Sequence, residues 1–146
     1  MTTYFEDLEV ADVGPVVQHT LTRTDLVRYA GASGDYNPMH HDEIKATKAG
    51  MPSTFGHGML SMAIVGRALT DWFGADALRQ FSVRFSKQTW PGNVLRTRVT
   101  VADKRTVEGQ HLVDLTCELL NQDDEVVVAG KAIAAVPSRT SGDDHG

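Results

Sequence analysis

Two ionisable side chains, Asp35 and His40, lie five residues apart on either side of a proline turn, in the run GDYNPMHHD. A bend of this kind can direct both side chains into one space, whereas a straight strand sends residues at an odd spacing to opposite faces. A carboxylate and an imidazole held together can bind one water molecule, take a proton from it and give a proton back. The spacing therefore predicts an acid–base pair that the Asn37 amide orients. A turn with a purely structural role is the alternative.

A second segment, FGHGM at residues 55–59, carries two glycines around His57 where a loop meets a predicted helix. Amide N–H groups in the first turn of a helix have no partner within the helix and lie at the positive end of its dipole. They are suited to stabilising negative charge on a carbonyl oxygen, such as that of a thioester. Gly58 is therefore a candidate oxyanion donor. The alternative is that the glycines only permit a tight junction between loop and helix.

Histidines and acids near these segments raise the question of a metal ion. The candidate ligands are His40, His41, Asp42 and His57. Adjacent histidines rarely bind one ion together, so we expect no metal here. The single cysteine, Cys117, excludes an intramolecular disulfide and a cysteine-cage zinc site.

Three helices are predicted to position these residues. They cover Thr22–Ala32, Asp42–Gly50 and His57–Phe73. Hydroxyl and acidic capping residues begin the first two, and Gly74 closes the third. The third helix is apolar around most of its circumference, which indicates a buried helix.

Four strands follow, each recognised by the alternation of apolar and polar residues. They cover Phe81–Phe85, Leu95–Val101, Val113–Leu119 and Val126–Val136, and a short β-like run lies earlier, at Pro15–Leu21. A period of two with short turns between the strands predicts antiparallel hairpins. The fold class is therefore α+β, with a strongly twisted sheet wrapped around the buried helix.

The run YAGASGDYNPMH at residues 29–40 closely resembles the hydratase-2 motif of MaoC-like dehydratases and (R)-specific enoyl-CoA hydratases. The segment HGML at residues 57–60 looks like the second hallmark of that family, at the start of its central helix. The resemblance covers about residues 5–136 and implies a hot-dog fold, in which a curved antiparallel sheet wraps a long helix. We expect one domain over residues 1–136, followed by a disordered tail at 137–146 that lacks apolar residues.

The resemblance implies the reversible hydration of a trans-2-enoyl thioester to an (R)-3-hydroxyacyl thioester, in fatty acid, polyketide or steroid side-chain metabolism. Asp35 and His40 would act on the water, the Gly58 N–H would stabilise the enolate, and Asn37 would orient the pair. No cofactor is implied beyond the coenzyme A that carries the substrate. Three alternatives stay open: a 3-hydroxyacyl-carrier-protein dehydratase subunit, a hot-dog acyl-CoA thioesterase and a non-catalytic partner subunit. Which of the two residues acts as base and which as acid also stays open.

The charge pattern bears on what the chain binds. A net charge of −5 argues against a general nucleic-acid binder. Seven of the 14 cations lie between Arg79 and Arg105, which makes a basic strip on an acidic protein. Candidate contacts to the phosphates of an acyl-CoA in this strip are Arg84, Lys87, Arg96 and Arg98. Their alternative role is to keep the outer faces of strands solvated.

The resemblance also implies assembly, because hot-dog units dimerise into one continuous sheet. A homodimer and a heterodimer with another hot-dog subunit are both compatible with this chain. Its N-terminus, MTTYFEDLEV, is too polar and acidic for a signal peptide. The longest apolar stretch is broken by polar residues, so no membrane span is predicted and we expect a cytoplasmic protein.

Overall fold

The computed structural model describes residues 1–142, with side chains described through residue 140. Its helices and strands are, in chain order, β1 (Gln18–Thr20), α1 (Arg23–Ser33), α2 (Glu43–Lys48), α3 (Gly58–Phe73), β2 (Leu78–Phe85), β3 (Val94–Val107), β4 (Gln110–Leu120) and β5 (Val126–Ala135). The strands form one five-stranded sheet in the order β1-β3-β4-β5-β2, and every neighbouring pair is antiparallel. The predicted α+β class is confirmed.

The first two helices begin at the capping residues that the sequence predicts. The Thr22 hydroxyl accepts a hydrogen bond from the Asp25 N–H at 3.1 Å, and the Asp25 carboxylate accepts one from the Thr22 N–H at 2.8 Å. This reciprocal capping box satisfies two N–H groups at the start of α1. Asp42 caps α2 by accepting from the Lys45 N–H at 3.1 Å. Local hydrogen bonding thus fixes where both helices start.

The third helix packs one side against the sheet and leaves the other side exposed. Its buried residues are Ser61, Ile64, Val65, Ala68 and Leu69. A stripe at four-residue spacing, Met59, Ala63, Arg67 and Asp71, faces solvent. The helix contacts β2, β3, β4 and β5, as expected for a sheet wrapped around it, and only this stripe departs from the all-round burial that its apolar sequence indicates. Among the described residues, no helix combines the length and apolar character that a bilayer span requires.

The sheet has two unequal edges. At one edge, β1 contributes only three residues. At the other, β2 spans eight residues and is hydrogen-bonded to β5 alone among the described strands. Phe81 and Val83 of β2 pack partly against the core, whereas Phe85 near its end is 49% exposed. The outer edge of β2 is therefore the side on which another strand could extend the sheet.

The residues after β5 lie against the N-terminal segment. The Phe5 N–H donates to the Pro137 carbonyl at 2.8 Å. The Arg139 guanidinium forms two hydrogen bonds with the Asp7 carboxylate, at 2.7 and 2.9 Å. It also lies over the Tyr4 ring, 4.5 Å from its centroid. Residues 137 and 139 thus contact the N-terminal segment. The disorder expected of the tail at 137–146 stays a prediction, and residues 143–146 lie outside the described residues.

Candidate active site

The turn after α1 places Asp35 and His40 on the same side of the chain. Gly34 ends the helix with a left-handed backbone at φ 76°, a conformation that glycine adopts without a Cβ clash. The side chain of Asn37 accepts from the Met39 N–H at 3.1 Å and so starts the short 3₁₀ turn that carries His40. The main-chain N–H of Asn37 donates to Asp35 Oδ1 at 3.3 Å. Asn37 thus orients Asp35 through its backbone, whereas the sequence predicted that its side chain would do so.

Asp35 and His40 meet at a distance suited to holding a water molecule between them. Asp35 Oδ2 lies 3.9 Å from His40 Nε2, with the His40 side chain 10% exposed and that of Asp35 53% exposed. A direct hydrogen bond would need about 2.7–3.2 Å. One water can lie at hydrogen-bond distance from both atoms at this separation. The structure therefore brings the predicted acid–base pair together.

The tautomer of His40 follows from its other ring nitrogen. His40 Nδ1 lies 2.7 Å from the carbonyl oxygen of Phe55. Because a carbonyl oxygen only accepts, Nδ1 carries the hydrogen. In the neutral ring Nε2 then presents a lone pair, and this is the atom that faces Asp35. His40 can therefore accept a proton at Nε2, the nitrogen nearest to Asp35.

Glu43, which the sequence analysis did not single out, holds the loop before α3. Its Oε2 accepts from the Thr54 N–H at 3.2 Å, the Ser53 hydroxyl at 3.1 Å and the Arg23 guanidinium at 2.9 Å. These donors, the Thr54 N–H above all, hold the pKa of Glu43 below its usual range. The carboxylate thereby ties α2 to α1 and to the loop. In the sequence it is only an acid in the first turn of a helix, which is a common helix-start residue.

Gly58 lies at the first position of α3, where its N–H receives no cap from the His57 side chain. A Cβ at this glycine would lie 3.3–3.4 Å from atoms of the Phe85 ring, so its absence lets that ring approach the start of the helix. Gly58 and His40 line the same cavity of about 340 Å³, together with Phe55 and Phe85. The predicted oxyanion donor and His40 of the acid–base pair therefore share one cavity.

A different cavity, of about 390 Å³, lies between α1 and α3. Its lining is largely apolar and includes Tyr29, Leu60 and Ile64. Neither member of the acid–base pair lines it, and Gly58 does not reach it. We therefore assign the candidate active site to the cavity that contains His40.

Three possible metal ligands converge at this site. Asp35, His40 and His57 offer atoms that lie within 4.8 Å of one another. Zinc bonds of about 2.0–2.2 Å in a tetrahedron hold ligand atoms about 3.4 Å apart. The 3.9 Å between Asp35 and His40 is wider than that. The absence of a metal stays a prediction.

The four cations predicted to bind substrate are not brought together. Arg84 lies on β2, and Arg96 and Arg98 lie on β3, with β4 and β5 between these strands in the sheet. Three of the four have acidic partners, in the pairs Lys87–Glu125, Arg96–Asp124 and Arg98–Glu118. Of the four, only Lys87 lines the cavity that contains His40. The sequence could not show this, because the pairings depend on strand order.

Comparison with known proteins identifies a family model and similar sequences. Residues 9–122 match the family model described as "MaoC like domain". The chain is 27% identical over 143 residues to a 3-hydroxybutyryl-CoA dehydratase of Methylorubrum extorquens, covering 96% of this chain and 88% of that protein. It is 34% identical over 116 residues to the fatty acid synthase subunit beta of Saccharomyces cerevisiae, covering 77% of this chain but only 5% of that subunit.

Among solved structures, the unliganded R-hydratase PhaJ1 from Pseudomonas aeruginosa matches with a TM-score of 0.83 and 25% sequence identity. The match covers 93% of this chain and 86% of that one. It confirms the hot-dog fold that the resemblance implied.

Proposed function

This chain belongs to the MaoC-like dehydratase family, and on that basis we propose that it adds water reversibly to a trans-2-enoyl thioester. The product is a 3-hydroxyacyl thioester of the (R) configuration. The observation that carries the proposal is the 3.9 Å separation of Asp35 Oδ2 and His40 Nε2, with His40 and the first residue of α3, Gly58, lining one cavity. The names of two relatives, 3-hydroxybutyryl-CoA dehydratase and R-hydratase, support the reaction class and its stereochemistry.

The acid–base pair supplies the water and moves the protons. The water oxygen forms a bond to the β-carbon of the enoyl group while a proton passes from the water to the pair. The pair then gives a proton to the α-carbon, so that a hydroxyl and a hydrogen add across the double bond. The lone pair on His40 Nε2 and the Asp35 carboxylate are the two acceptors available for the water proton.

The start of α3 supplies the stabilisation that makes the β-carbon reactive. Attack at that carbon pushes an electron pair onto the thioester oxygen, which becomes an enolate. The Gly58 N–H lies at the positive end of the helix dipole and can donate to that oxygen. One donor of this kind contributes about 3–4 kcal/mol to comparable transition states.

We infer that coenzyme A carries the acyl group, in preference to an acyl carrier protein. A carrier protein presents a broad acidic surface, which calls for an extended positive patch. In this chain, Lys87, Arg96 and Arg98 are paired with acids, and the net charge is −5. A compact group of phosphates needs only a few cations, which suits this surface better.

We also propose that the working form is a dimer, with the partner strand placed along the outer edge of β2. This edge is the longer of the two and has no strand beside it among the described residues. Extension of the sheet there would cover Phe85, which is half exposed and lines the active-site cavity. A second copy and a related hot-dog subunit would both fit this edge.

The acid–base pair is tested with Asp35→Asn and His40→Asn. Either change should lower kcat/KM for crotonyl-CoA hydration by about 10²–10⁴, because each removes one proton-transfer group. Asp35→Asn keeps an oxygen for the Asn37 N–H, and His40→Asn keeps a donor for the Phe55 carbonyl, so melting temperatures should change little. Near-wild-type hydration by either variant would contradict the assignment. Release of free thiol, measured in the same samples, would instead indicate a thioesterase.

The oxyanion donor is tested with the pair Gly58→Pro and Gly58→Ala. Proline is tolerated at the first helical position, and the preceding residue, His57, already has the extended backbone (φ −62°, ψ 136°) that proline requires. Both variants add a Cβ near Phe85, but only proline removes the N–H. We expect kcat/KM to be about 10²–10³ lower for the proline variant than for the alanine variant. Equal rates in two folded variants would exclude the Gly58 N–H as a donor.

The carrier is tested by comparing kcat/KM for one enoyl chain on coenzyme A and on acyl carrier protein, at several salt concentrations. We expect coenzyme A to be preferred. A large preference for the carrier protein that falls steeply as salt rises would show instead that the basic strip docks a protein.

Assembly is tested by light scattering on the purified chain. We expect about twice the chain mass of 15.9 kDa, or a chain that is soluble only when a related subunit is co-expressed. A monomer that hydrates crotonyl-CoA at full rate would show that no partner is needed.

A further inference from the structure

His57 is a buried histidine at the centre of the site, and the reaction proposed above gives it no task. It is 2% exposed. Its ring stacks on the ring of His40, with centroids 3.8 Å apart and planes inclined by 25°. The ring of Tyr29 meets it edge-on at 4.8 Å. A polar ring in such a position needs an explanation beyond packing.

One nitrogen of His57 is bound to the backbone of Asp35. His57 Nε2 lies 3.2 Å from the Asp35 carbonyl oxygen. The carbonyl only accepts, so Nε2 carries the hydrogen. His57 Nδ1 is buried without a hydrogen-bond partner among the described residues. Burial above all holds the pKa of His57 below the usual 6.5, and a proton on nearby His40 or His41 lowers it further. The ring is therefore neutral, with its single hydrogen on Nε2.

The two stacked histidines link the two motif segments by two hydrogen bonds, one in each direction. His40, from the first segment, donates to the Phe55 carbonyl of the second, and His57, from the second, donates to the Asp35 carbonyl of the first. These two bonds hold both residues of the acid–base pair. His40 is held through its own Nδ1, and Asp35 is held through its main-chain carbonyl.

We propose that His57 is a positioning residue for the hydration reaction, holding Asp35 by its Nε2–H and supporting the face of the His40 ring. The proposal rests on the proposed function. The groups that act on His57 are Asp35, His40 and Tyr29, which contact it, and His41, which acts through its charge when protonated. When His40 takes up a proton, a second positive charge on the stacked ring would repel it. His57 must therefore stay neutral during turnover.

The test compares two amides at position 57. The side-chain nitrogen of His57→Gln reaches about as far as Nε2 and can still donate to the Asp35 carbonyl. His57→Asn is one methylene shorter, places its amide near the position of Nδ1, and does not reach that carbonyl. We expect kcat for crotonyl-CoA hydration to be about 10²-fold lower for His57→Asn than for His57→Gln, with KM nearly equal, because misplacement of about 1 Å costs that much.

A matched control is His19→Gln. His19 is exposed on β1, and its Nε2 lies 2.8 Å from Asp25 Oδ2, so it is a hydrogen-bonded histidine away from the acid–base pair. Its replacement should leave kcat near the wild-type value. Equal kcat values for His57→Gln and His57→Asn would overturn the proposal. Failure of the wild-type chain to hydrate crotonyl-CoA would instead contradict the proposed function, so the two failures are distinguishable.

A pH series provides a second readout, which a simple loss of packing would not produce. A histidine that is neutral when folded and titrates normally when unfolded binds more protons in the unfolded state below about pH 6.5. Its contribution to the free energy of unfolding is therefore lost as the pH falls through that value. The melting temperature of the wild type should fall more steeply below pH 6.5 than that of His57→Gln. Parallel curves would show that His57 is not held neutral and would overturn the proposal.

Discussion

Two hydrogen bonds that run in opposite directions between two loops determine the geometry of the site. His40 Nδ1 donates to the Phe55 carbonyl at 2.7 Å, and His57 Nε2 donates to the Asp35 carbonyl at 3.2 Å. Each bond also fixes a tautomer, because the carbonyl forces the hydrogen onto the nitrogen that faces it. Loss of either bond would leave a buried polar group unpaired, at a cost of about 1–3 kcal/mol. The same two hydrogen bonds therefore fix the positions of the loops and the tautomers of the two rings.

The dipole of α3 acts on both His57 and Gly58. His57 is the residue that precedes the helix, and Gly58 is its first residue. The positive end of the helix dipole favours an anion near the Gly58 N–H and disfavours a cation on His57. The proposed stabilisation of an enolate follows from this partial charge, which also adds to the burial that keeps His57 neutral. Only the second ring, His40, remains free to carry a proton beside Asp35, whose carboxylate is half exposed.

The parts of this protein that the sequence predicts well are those set by local chemistry. Capping residues and glycines locate the helices to within a residue or two, and alternation locates β2–β5. The five-residue spacing of Asp35 and His40 predicts their convergence, because a turn is a local event. Contacts between distant segments could not be predicted in this way. The role of the Phe55 carbonyl, the ties of Glu43 to Ser53 and Thr54, and the acidic partners of the strand cations all depend on which segments become neighbours after folding.

The pairing of the cations changes how an anionic substrate would be recognised. Lys87 is the one predicted substrate-binding cation that lines the cavity. It forms an ion pair with Glu125, and both side chains of this pair are exposed to solvent. Exposed pairs of this kind contribute little, since water and salt compete with both charges. A phosphate that approaches the cavity can therefore exchange for Glu125 at small cost. The Glu125 carboxylate would then be solvated by water, and Lys87, which already lies near the active site, would pair with the phosphate. Pairing within the chain is thus compatible with binding of coenzyme A, while it reduces the extended positive field that an acidic protein partner would require.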